Sequence, residues 1–185
     1  MSERARPRAP IAIDVRAPRG AGESATVARR TARSALRKLG AAPCELSIAL
    51  VDDAEMRELN RAWRGKDRPT DVLSFSQRES RRDGHDGDDR EREAPPGAAG
   101  PPLLGDVVVS LPTAARQARR RRTPLERELA TLVVHGILHL LGWDHERSPA
   151  EARRMFRMQR DLLGEMPAGR SARRRPAAGG SRGRG

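Results

Sequence analysis

The residues best suited to chemistry are three histidines in the stretch HGILHLLGWDH, which runs from His135 to His145. His135 and His139 are four positions apart, so on an α-helix their imidazoles lie on one face, about one turn apart. Gly142 is predicted to end that helix, because glycine readily adopts the left-handed conformation, and to return His145 toward the other two rings. Three neutral imidazoles at one point predict a zinc site with a fourth position open to water or substrate.

The spacing of this stretch also indicates what such a site would do. It matches the metzincin pattern HExxHxxGxxH at every position but one. Gly136 stands where those peptidases carry the glutamate that acts as general base, so peptide hydrolysis is only a minor hypothesis. Because no ligand is anionic, the ion would keep its full double positive charge, which favours an anionic substrate such as a phosphodiester.

Composition favours one domain with unpacked segments. The chain has 185 residues, of which 34% are charged and 36% apolar, and this balance suggests that part of it lies outside a packed core. No apolar run approaches the length of a membrane span, and the first residues lack the apolar core of a signal peptide. A single cysteine, Cys44, cannot form an internal disulfide. The sequence therefore predicts a cytoplasmic protein with no membrane partner.

The formal net charge of +12 points to a polyanionic partner, with nucleic acid the leading candidate and a membrane surface the second. Residues 170–185 contain six arginines and no acid. A second cluster, Arg116 and Arg119 to Arg122, falls inside the predicted domain. For the tail, biased composition and solvation are an equally good explanation, whereas they account less well for the internal cluster.

Hydrophobic periodicity divides the chain into alternating elements. Alternation predicts strands over 11–16, 46–50, 71–75 and 104–110, and helical spacing predicts about five helices between and after them. Helix starts are indicated at Asp52, Thr123 and Ser148, each followed by an acid three residues later. The fold class is therefore α+β (α/β-like): a small four-stranded sheet packed with about five helices, in a single domain over residues 10–165. Residues 1–10 are expected to form a flexible basic arm, 77–102 a disordered acidic and polar insertion, and 166–185 a disordered arginine-rich tail.

Three segments together carry a resemblance to a known family. The histidine motif, NRAWRGKDRPTDVLSF at 60–75 and LGDVVVS at 104–110 resemble the bacterial YbeY family of rRNA maturation factors, which are metal-dependent endoribonucleases. The resemblance implies a mixed sheet with helices around it and one Zn²⁺ ion per chain, held by His135, His139 and His145. It also implies that Arg64 is catalytic. The insertion at about 77–102 and the tail beyond 166 depart from the family's pattern.

The resemblance further implies a biological role. The expected function is single-strand-specific cleavage in 16S rRNA 3′-end maturation, ribosome assembly and quality control. Its expected partners are rRNA, the ribosomal subunit, and ribosomal or assembly proteins. In this hypothesis the metal activates water, which supplies the missing base, and Arg64 stabilises charge that develops on the phosphate. The alternative role for Arg64 is that of a surface arginine near a helix end, favourable to the helix dipole.

Two other functions stay open from the residues alone. The chain could be a non-catalytic RNA-binding assembly factor in which the zinc is structural. With no tyrosine, two tryptophans and two phenylalanines, it has few aromatic rings for stacking bases, so a module that only reads RNA sequence is disfavoured. The third hypothesis, a metallopeptidase, is weakened by Gly136.

Overall fold

The computed structural model describes residues 10–77 and 101–164, which fold into four strands and five helices. The predicted α+β class, with its four-stranded sheet and five helices in one domain, is confirmed for this part of the chain. The predicted arm and tail, and nearly all of the predicted insertion, lie outside the described residues. The elements in chain order are β1 (Ile11–Arg16), α1 (Gly22–Lys38), β2 (Cys44–Val51), α2 (Asp53–Arg64), β3 (Val72–Ser76), β4 (Leu103–Ser110), α3 (Leu111–Arg121), α4 (Leu125–Leu140) and α5 (Pro149–Gly164).

The sheet is mixed, as expected, and its strand order is β1-β2-β4-β3. β1, β2 and β4 run parallel, and β3 pairs antiparallel to β4. α1 makes the crossover between β1 and β2, since parallel neighbours cannot be joined by a tight hairpin. β3 therefore lies at one edge of the sheet, with β4 as its partner among the described strands.

Two apolar clusters cover the two faces of the sheet. The larger one joins α1, α4 and α5 to the sheet, and it buries most of α4. The smaller one packs α2 on the opposite face and consists of Val51, Met56, Leu73 and Val108. The helix that carries His135 and His139 is thus held by the main core, which restricts how far those side chains can move. None of the helices in the described ranges is long and apolar enough to cross a membrane.

The start of α4 differs from the prediction. At the N-caps of α2 and α5, side chains accept the expected hydrogen bonds from amides three residues on, at 2.9 and 3.2 Å. For α4, the predicted cap Thr123 is wrong: Pro124 occupies the N-cap position, no side chain caps the helix, and the Thr123 hydroxyl is buried without a partner among the described residues. The helix begins one residue later than predicted, so the amides of Arg127 and Glu128 donate to the Pro124 carbonyl instead.

Asp53 joins α2 to α3 through both carboxylate oxygens. Oδ1 accepts hydrogen bonds from the hydroxyls of Ser110 and Thr113, at 2.6 and 2.7 Å. Oδ2 accepts one from Nη1 of Arg116 at 2.7 Å. The bond from Arg116 is the main reason that the pKa of Asp53 falls to about 2, with the two hydroxyls adding to it against the effect of burial. One arginine of the internal basic cluster is therefore engaged in holding the fold.

Asp53→Asn is expected to lower the free energy of unfolding at pH 7 by about 1–2 kcal/mol, less than the full pKa shift implies because solvent reaches the ion pair. A carboxyl whose pKa is depressed on folding stabilises the fold above its unfolded pKa and loses that contribution as the pH falls through the folded pKa. The difference between wild type and variant should therefore shrink between pH 4 and pH 2. Urea unfolding across this range measures it, with Asp14→Asn, an exposed aspartate of β1, as the control that should change little.

Candidate metal centre

The end of α4 is built to bring the third histidine back to the first two. Gly142 has φ 83°, and its amide donates to the carbonyl of His139 at 2.9 Å. The amide of Trp143 donates to the carbonyl of Leu138 at 3.0 Å. These two bonds form a Schellman motif, which reverses the chain direction directly after the helix. The turn predicted at Gly142 is confirmed, and it places His145 beside α4.

The three histidines lie together at this turn. Their ring centroids are 4.7 Å apart for His135 and His139, 5.2 Å for His135 and His145, and 5.1 Å for His139 and His145. One nitrogen from each ring lies within 4.8 Å of the others, a spacing that could hold a metal ion. Within residues 10–77 and 101–164, no carboxylate or thiol joins the cluster. The donors are therefore all neutral imidazoles, the set that suits Zn²⁺ and leaves its charge uncompensated.

The surroundings of His135 and His139 keep these two rings unprotonated. Burial, followed by the neighbouring imidazoles, lowers the pKa of His139 to about 4. Burial also lowers the pKa of His135, against the opposing effect of its hydrogen bond to Gln159. Both are neutral at pH 7, as a metal ligand must be. Nδ1 of His145 is buried and has no hydrogen-bond partner among the described residues, which fits a donor set that is completed by a group from outside the chain.

Two residues of α5 complete the surroundings of His135. Oε1 of Gln159 lies 3.0 Å from Nδ1 of His135, so Nδ1–H donates to the amide oxygen and Nε2 is left facing His139, 3.1 Å away. The ring of Phe156 stacks on His135 with centroids 6.5 Å apart and lies 5.6 Å from His145. The sequence places Phe156 in the apolar pattern of its helix and gives no signal for Gln159. Nothing local shows that this helix packs beside the histidines.

Arg64 shares a cleft with the histidines. The cleft has a volume of about 480 Å³, and its walls include Arg64, Asp71 and all three imidazoles. Arg64 is the last residue of α2, and Gly65 ends that helix with φ 65°. The loop that follows is held by Asn60, whose Nδ2 donates to the carbonyl of Arg68 at 2.7 Å. The positive charge of Arg64 contributes to the lowered pKa of His139, so the predicted catalytic residue and the predicted ligands meet at one site.

Comparison with known proteins is consistent with this arrangement. A family model described as endoribonuclease YbeY matches residues 20–167. This chain belongs to the YbeY family. Relatives carrying the same description are found in an Anaeromyxobacter species, 51% identical over 142 residues, and in Myxococcus xanthus, 48% identical over 134 residues. A third, from Halalkalibacterium halodurans, is 47% identical over 126 residues.

The extent of each match differs. The matched regions cover 76%, 72% and 68% of this chain, in the same order, and 65%, 40% and 74% of the relatives. This chain thus spans less than two thirds of the first two. The solution structure of a Thermotoga maritima protein superposes with a TM-score of 0.54 at 27% identity and covers 83% of this chain and 86% of that one. This likeness supports the α+β fold.

Asp71, in the TDVLSF segment that carries part of the YbeY resemblance, is a cleft residue with a saturated carboxylate. It accepts hydrogen bonds from the Thr70 hydroxyl at 3.2 Å, the Val72 amide at 2.9 Å and Nε2 of Gln117 at 2.9 Å. Burial opposes its ionisation, but these hydrogen bonds hold its pKa below the usual value. The bonds from Thr70 and Val72 hold the turn into β3. The bond to Gln117, which ties this wall of the cleft to α3, is one that the sequence gives no means of finding.

Asp144, inside the YbeY histidine motif, makes its hydrogen bonds within the turn after α4 and not to an imidazole. Its Oδ1 accepts from the amide of Glu146 at 2.8 Å, and its Oδ2 from Nε of Arg147 at 3.1 Å. The first of these bonds is the main cause of its lowered pKa. A carboxylate here could orient an imidazole or cap the turn that returns His145, and the hydrogen bonds favour the second role.

Gly136, which distinguishes the YbeY motif here from that of the metzincins, faces the sheet. A Cβ at this position would lie 2.7 Å from Cγ1 of Val107 and 3.1 Å from Oγ of Ser74. The glycine therefore lets α4 approach β3 and β4 closely. A glutamate in its place would meet the sheet, so the absence of a peptidase general base at this position has a packing cause as well as a catalytic consequence.

Gly136→Ala is expected to destabilise the fold by about 1–2 kcal/mol. Forcing a methyl group against Val107 costs about 1–3 kcal/mol, and the better helix propensity of alanine returns up to about 1 kcal/mol. Urea unfolding measures the change. Gly164→Ala, at the end of α5, is the matched control, since its added Cβ meets nothing within 4 Å. Equal stability of the two variants would show that α4 can move away from the sheet without loss.

Proposed function

We propose that this chain is a zinc-dependent endoribonuclease that cleaves single-stranded RNA during maturation of the 16S rRNA 3′ end. One observation carries the proposal: three imidazoles and the Arg64 guanidinium line the same cleft. Family membership supports it, since the relatives are described as endoribonucleases. The net charge of +12 supports it too, because a polyanion is attracted to such a surface.

His135, His139 and His145 are the proposed ligands of one zinc ion. The donor set fits this ion, because all three rings are close together, and the lowered pKa values keep His135 and His139 unprotonated at neutral pH. When bound, zinc would act as a Lewis acid toward the phosphodiester and lower the pKa of water, the chemistry that a site without the peptidase glutamate needs. Gln159 holds His135 in the tautomer that leaves Nε2 free.

Arg64 is the proposed catalytic residue supplied by the chain itself. Its guanidinium can donate two parallel hydrogen bonds to phosphate oxygens, and it stabilises negative charge that develops there during cleavage. Asp71 is a poor candidate for a general base, because its oxygens already accept three hydrogen bonds and its pKa is low. Arg64 therefore binds and polarises the phosphate, while Asp71 fixes part of the cleft wall.

The same proposal covers the rest of the expected role. The domain over residues 10–165 carries the activity. Three further segments modulate RNA approach or contact with ribosomal and assembly proteins: the arm at 1–10, the insertion at 77–102 within the domain, and the tail at 166–185. The arginine clusters, apart from Arg116 and Arg121, which are held in ion pairs with Asp53 and Glu128, bind the RNA backbone without reading its sequence. Because its proposed substrate is ribosomal RNA, we propose that the protein acts in the cytoplasm.

The test is cleavage of a precursor fragment of 16S rRNA by the full zinc-loaded chain. Single-stranded RNA should be cut, a fully duplexed copy should be spared, and chelation should abolish cutting until zinc is restored. Cleavage that survives complete chelation would contradict metal dependence. Cleavage of casein instead of RNA would favour the metallopeptidase.

A structural zinc in a non-catalytic assembly factor is the second candidate, and one feature favours it. His135 on α4 contacts His145 in the returning turn and Gln159 on α5, so a metal bound there would also stabilise the packing of these elements. In that case loss of a histidine would unfold the domain, whereas loss of Arg64 would leave function intact. The nuclease proposal expects the opposite result for Arg64.

Gln159→Leu is expected to lower zinc affinity about 10–100-fold, the usual cost of removing the hydrogen bond that orients a ligating imidazole. Gln159→Glu keeps an acceptor oxygen at the same place and should lose much less. Competition with a chelator of known affinity measures both. If the leucine variant binds zinc as tightly as wild type, the bond from His135 does not orient a ligand.

A further inference from the structure

Trp63 is the most exposed large apolar side chain among the described residues, with 69% of its surface open to solvent. It lies on α2 directly before Arg64. A single exposed apolar residue is ordinary on a protein surface. Its contact with another aromatic ring, its charged surroundings and its position next to Arg64, which lines the cleft, make Trp63 different.

The indole is held on one side and free on the other. The ring of Phe75 contacts it edge-on, with centroids 5.5 Å apart and planes at 61°. Phe75 itself packs on the small apolar cluster beneath α2. Most of the indole surface stays in water, so a flat ring can stack on it.

The segment around Trp63 is strongly basic. Between positions 61 and 68 the chain carries Arg61, Arg64, Lys66 and Arg68. The one acid in this segment, Asp67, is already bound by two hydrogen bonds of 2.7 Å from Arg57. The local surplus of positive charge therefore favours a polyanion as the occupant of this surface over a second copy of a chain whose own net charge is +12.

This surface continues into the cleft around one strand. Ser74 and Ser76 of β3 line the cleft, whereas Phe75, between them, faces Trp63. Alternate residues of a strand point to opposite faces, and β3 is at the edge of the sheet. A chain bound in the cleft can therefore pass this edge and reach the indole, with Arg64 on the way.

We propose that Trp63 is a stacking platform for a base of single-stranded RNA that leaves the cleft past the edge of β3, while the neighbouring cations bind its phosphates. This inference rests on the proposed function, because it takes RNA as the molecule in the cleft. Duplexed RNA has no free base to offer, so the platform would also favour single-stranded over paired substrates.

The experiment uses the full zinc-loaded chain with Trp143→Phe, so that Trp63 is the remaining tryptophan. The probe is a short 2′-O-methylated oligoadenylate, checked on a gel to be uncut. Its binding should quench the emission of Trp63, and an abasic copy should not. Trp63→Ala, made in the chain with its native Trp143 and measured by anisotropy of a labelled probe, should weaken binding about tenfold. Trp63→Phe should restore most of the affinity.

A stacking contact has a further property that a general loss of charge or fold lacks. The slope of log affinity against log salt should be the same for Trp63→Ala and wild type, since no phosphate contact is removed. Leu103→Ala, at another exposed apolar position outside the cleft, is the matched control and should bind as wild type does. Circular dichroism checks that each variant is folded.

The platform would be overturned by undiminished binding by folded Trp63→Ala. It would also be overturned by shielding of Trp63 from acrylamide in the free protein, or by shielding that grows with protein concentration. The last two would assign the surface to another segment of this chain or to a second copy. Failure of the nuclease proposal looks different. If the probe binds and quenches Trp63 emission but the protein cuts no RNA, the platform stands and the nuclease proposal fails. If the protein cuts RNA but the emission of Trp63 does not change on binding, only the platform fails.

Discussion

His139→Ala is expected to abolish RNA cleavage and to lower zinc affinity. The loss of affinity should exceed the fall of about 10–100-fold that follows when a residue that only orients a ligand is removed. His139 lies 4.7 and 5.1 Å from the other two rings, measured between centroids. Its removal leaves two imidazoles on a partly buried wall, with no carboxylate or thiol in the described residues near enough to replace the third. Zinc binding by chelator competition and cleavage of the rRNA fragment should fall together.

The chain offers a matched control in its fourth histidine. His85 is outside the described residues, in the acidic segment, and His85→Ala should retain zinc affinity and cleavage. Circular dichroism and urea unfolding show whether His139→Ala is folded, which distinguishes a catalytic metal from a structural one. A folded His139→Ala protein without activity supports a catalytic metal, and an unfolded one supports the structural zinc of an assembly factor. Unchanged cleavage by the folded variant would trace the activity to a contaminant.

The histidine cluster could be predicted because its geometry is local. A spacing of four fixes two rings on one helix face, and a glycine with positive φ suffices to turn the third back. Helix and strand positions followed from periodicity for the same reason. The start of α4 shows the limit of such patterns: a threonine, a proline and an acid at the right spacing did not form a cap, because the helix began one residue further on.

What could not be predicted depends on contacts between distant parts of the chain. The strand order β1-β2-β4-β3 is set by long-range pairing, which leaves no local signal. Gln159 reaches His135 only because α5 packs beside α4. From the sequence, Gly136 indicates only that the glutamate general base of the metzincins is absent. The packing of α4 on Val107 shows why a side chain is excluded there. For Arg64, the family resemblance identified a residue that spacing alone left ambiguous.

Arg64→Ala is expected to lower kcat for RNA cleavage about 10²–10³-fold, the usual cost of removing one donor that stabilises charge in the transition state. Zinc affinity should not fall, since Arg64 is not among the clustered donors. Arg64→Lys keeps the charge but loses the planar pair of donors, so it should recover only part of the rate. Arg64→Ala can also be tested by a measurement other than activity. Because Arg64 lowers the pKa of His139, that pKa, followed by NMR in the metal-free protein, should rise.

Arg33→Ala on α1 is the matched control, because it removes the same charge from an exposed position outside the cleft. It should leave kcat unchanged and affect KM only slightly. If Arg64→Ala raises KM and spares kcat, Arg64 is a phosphate contact made equally in the bound and the transition state. If it changes neither, Arg64 has no part in the reaction, and unfolding of His139→Ala would then assign the zinc a structural role. A loss confined to kcat, with the rise in the pKa of His139, places Arg64 beside the reacting phosphate.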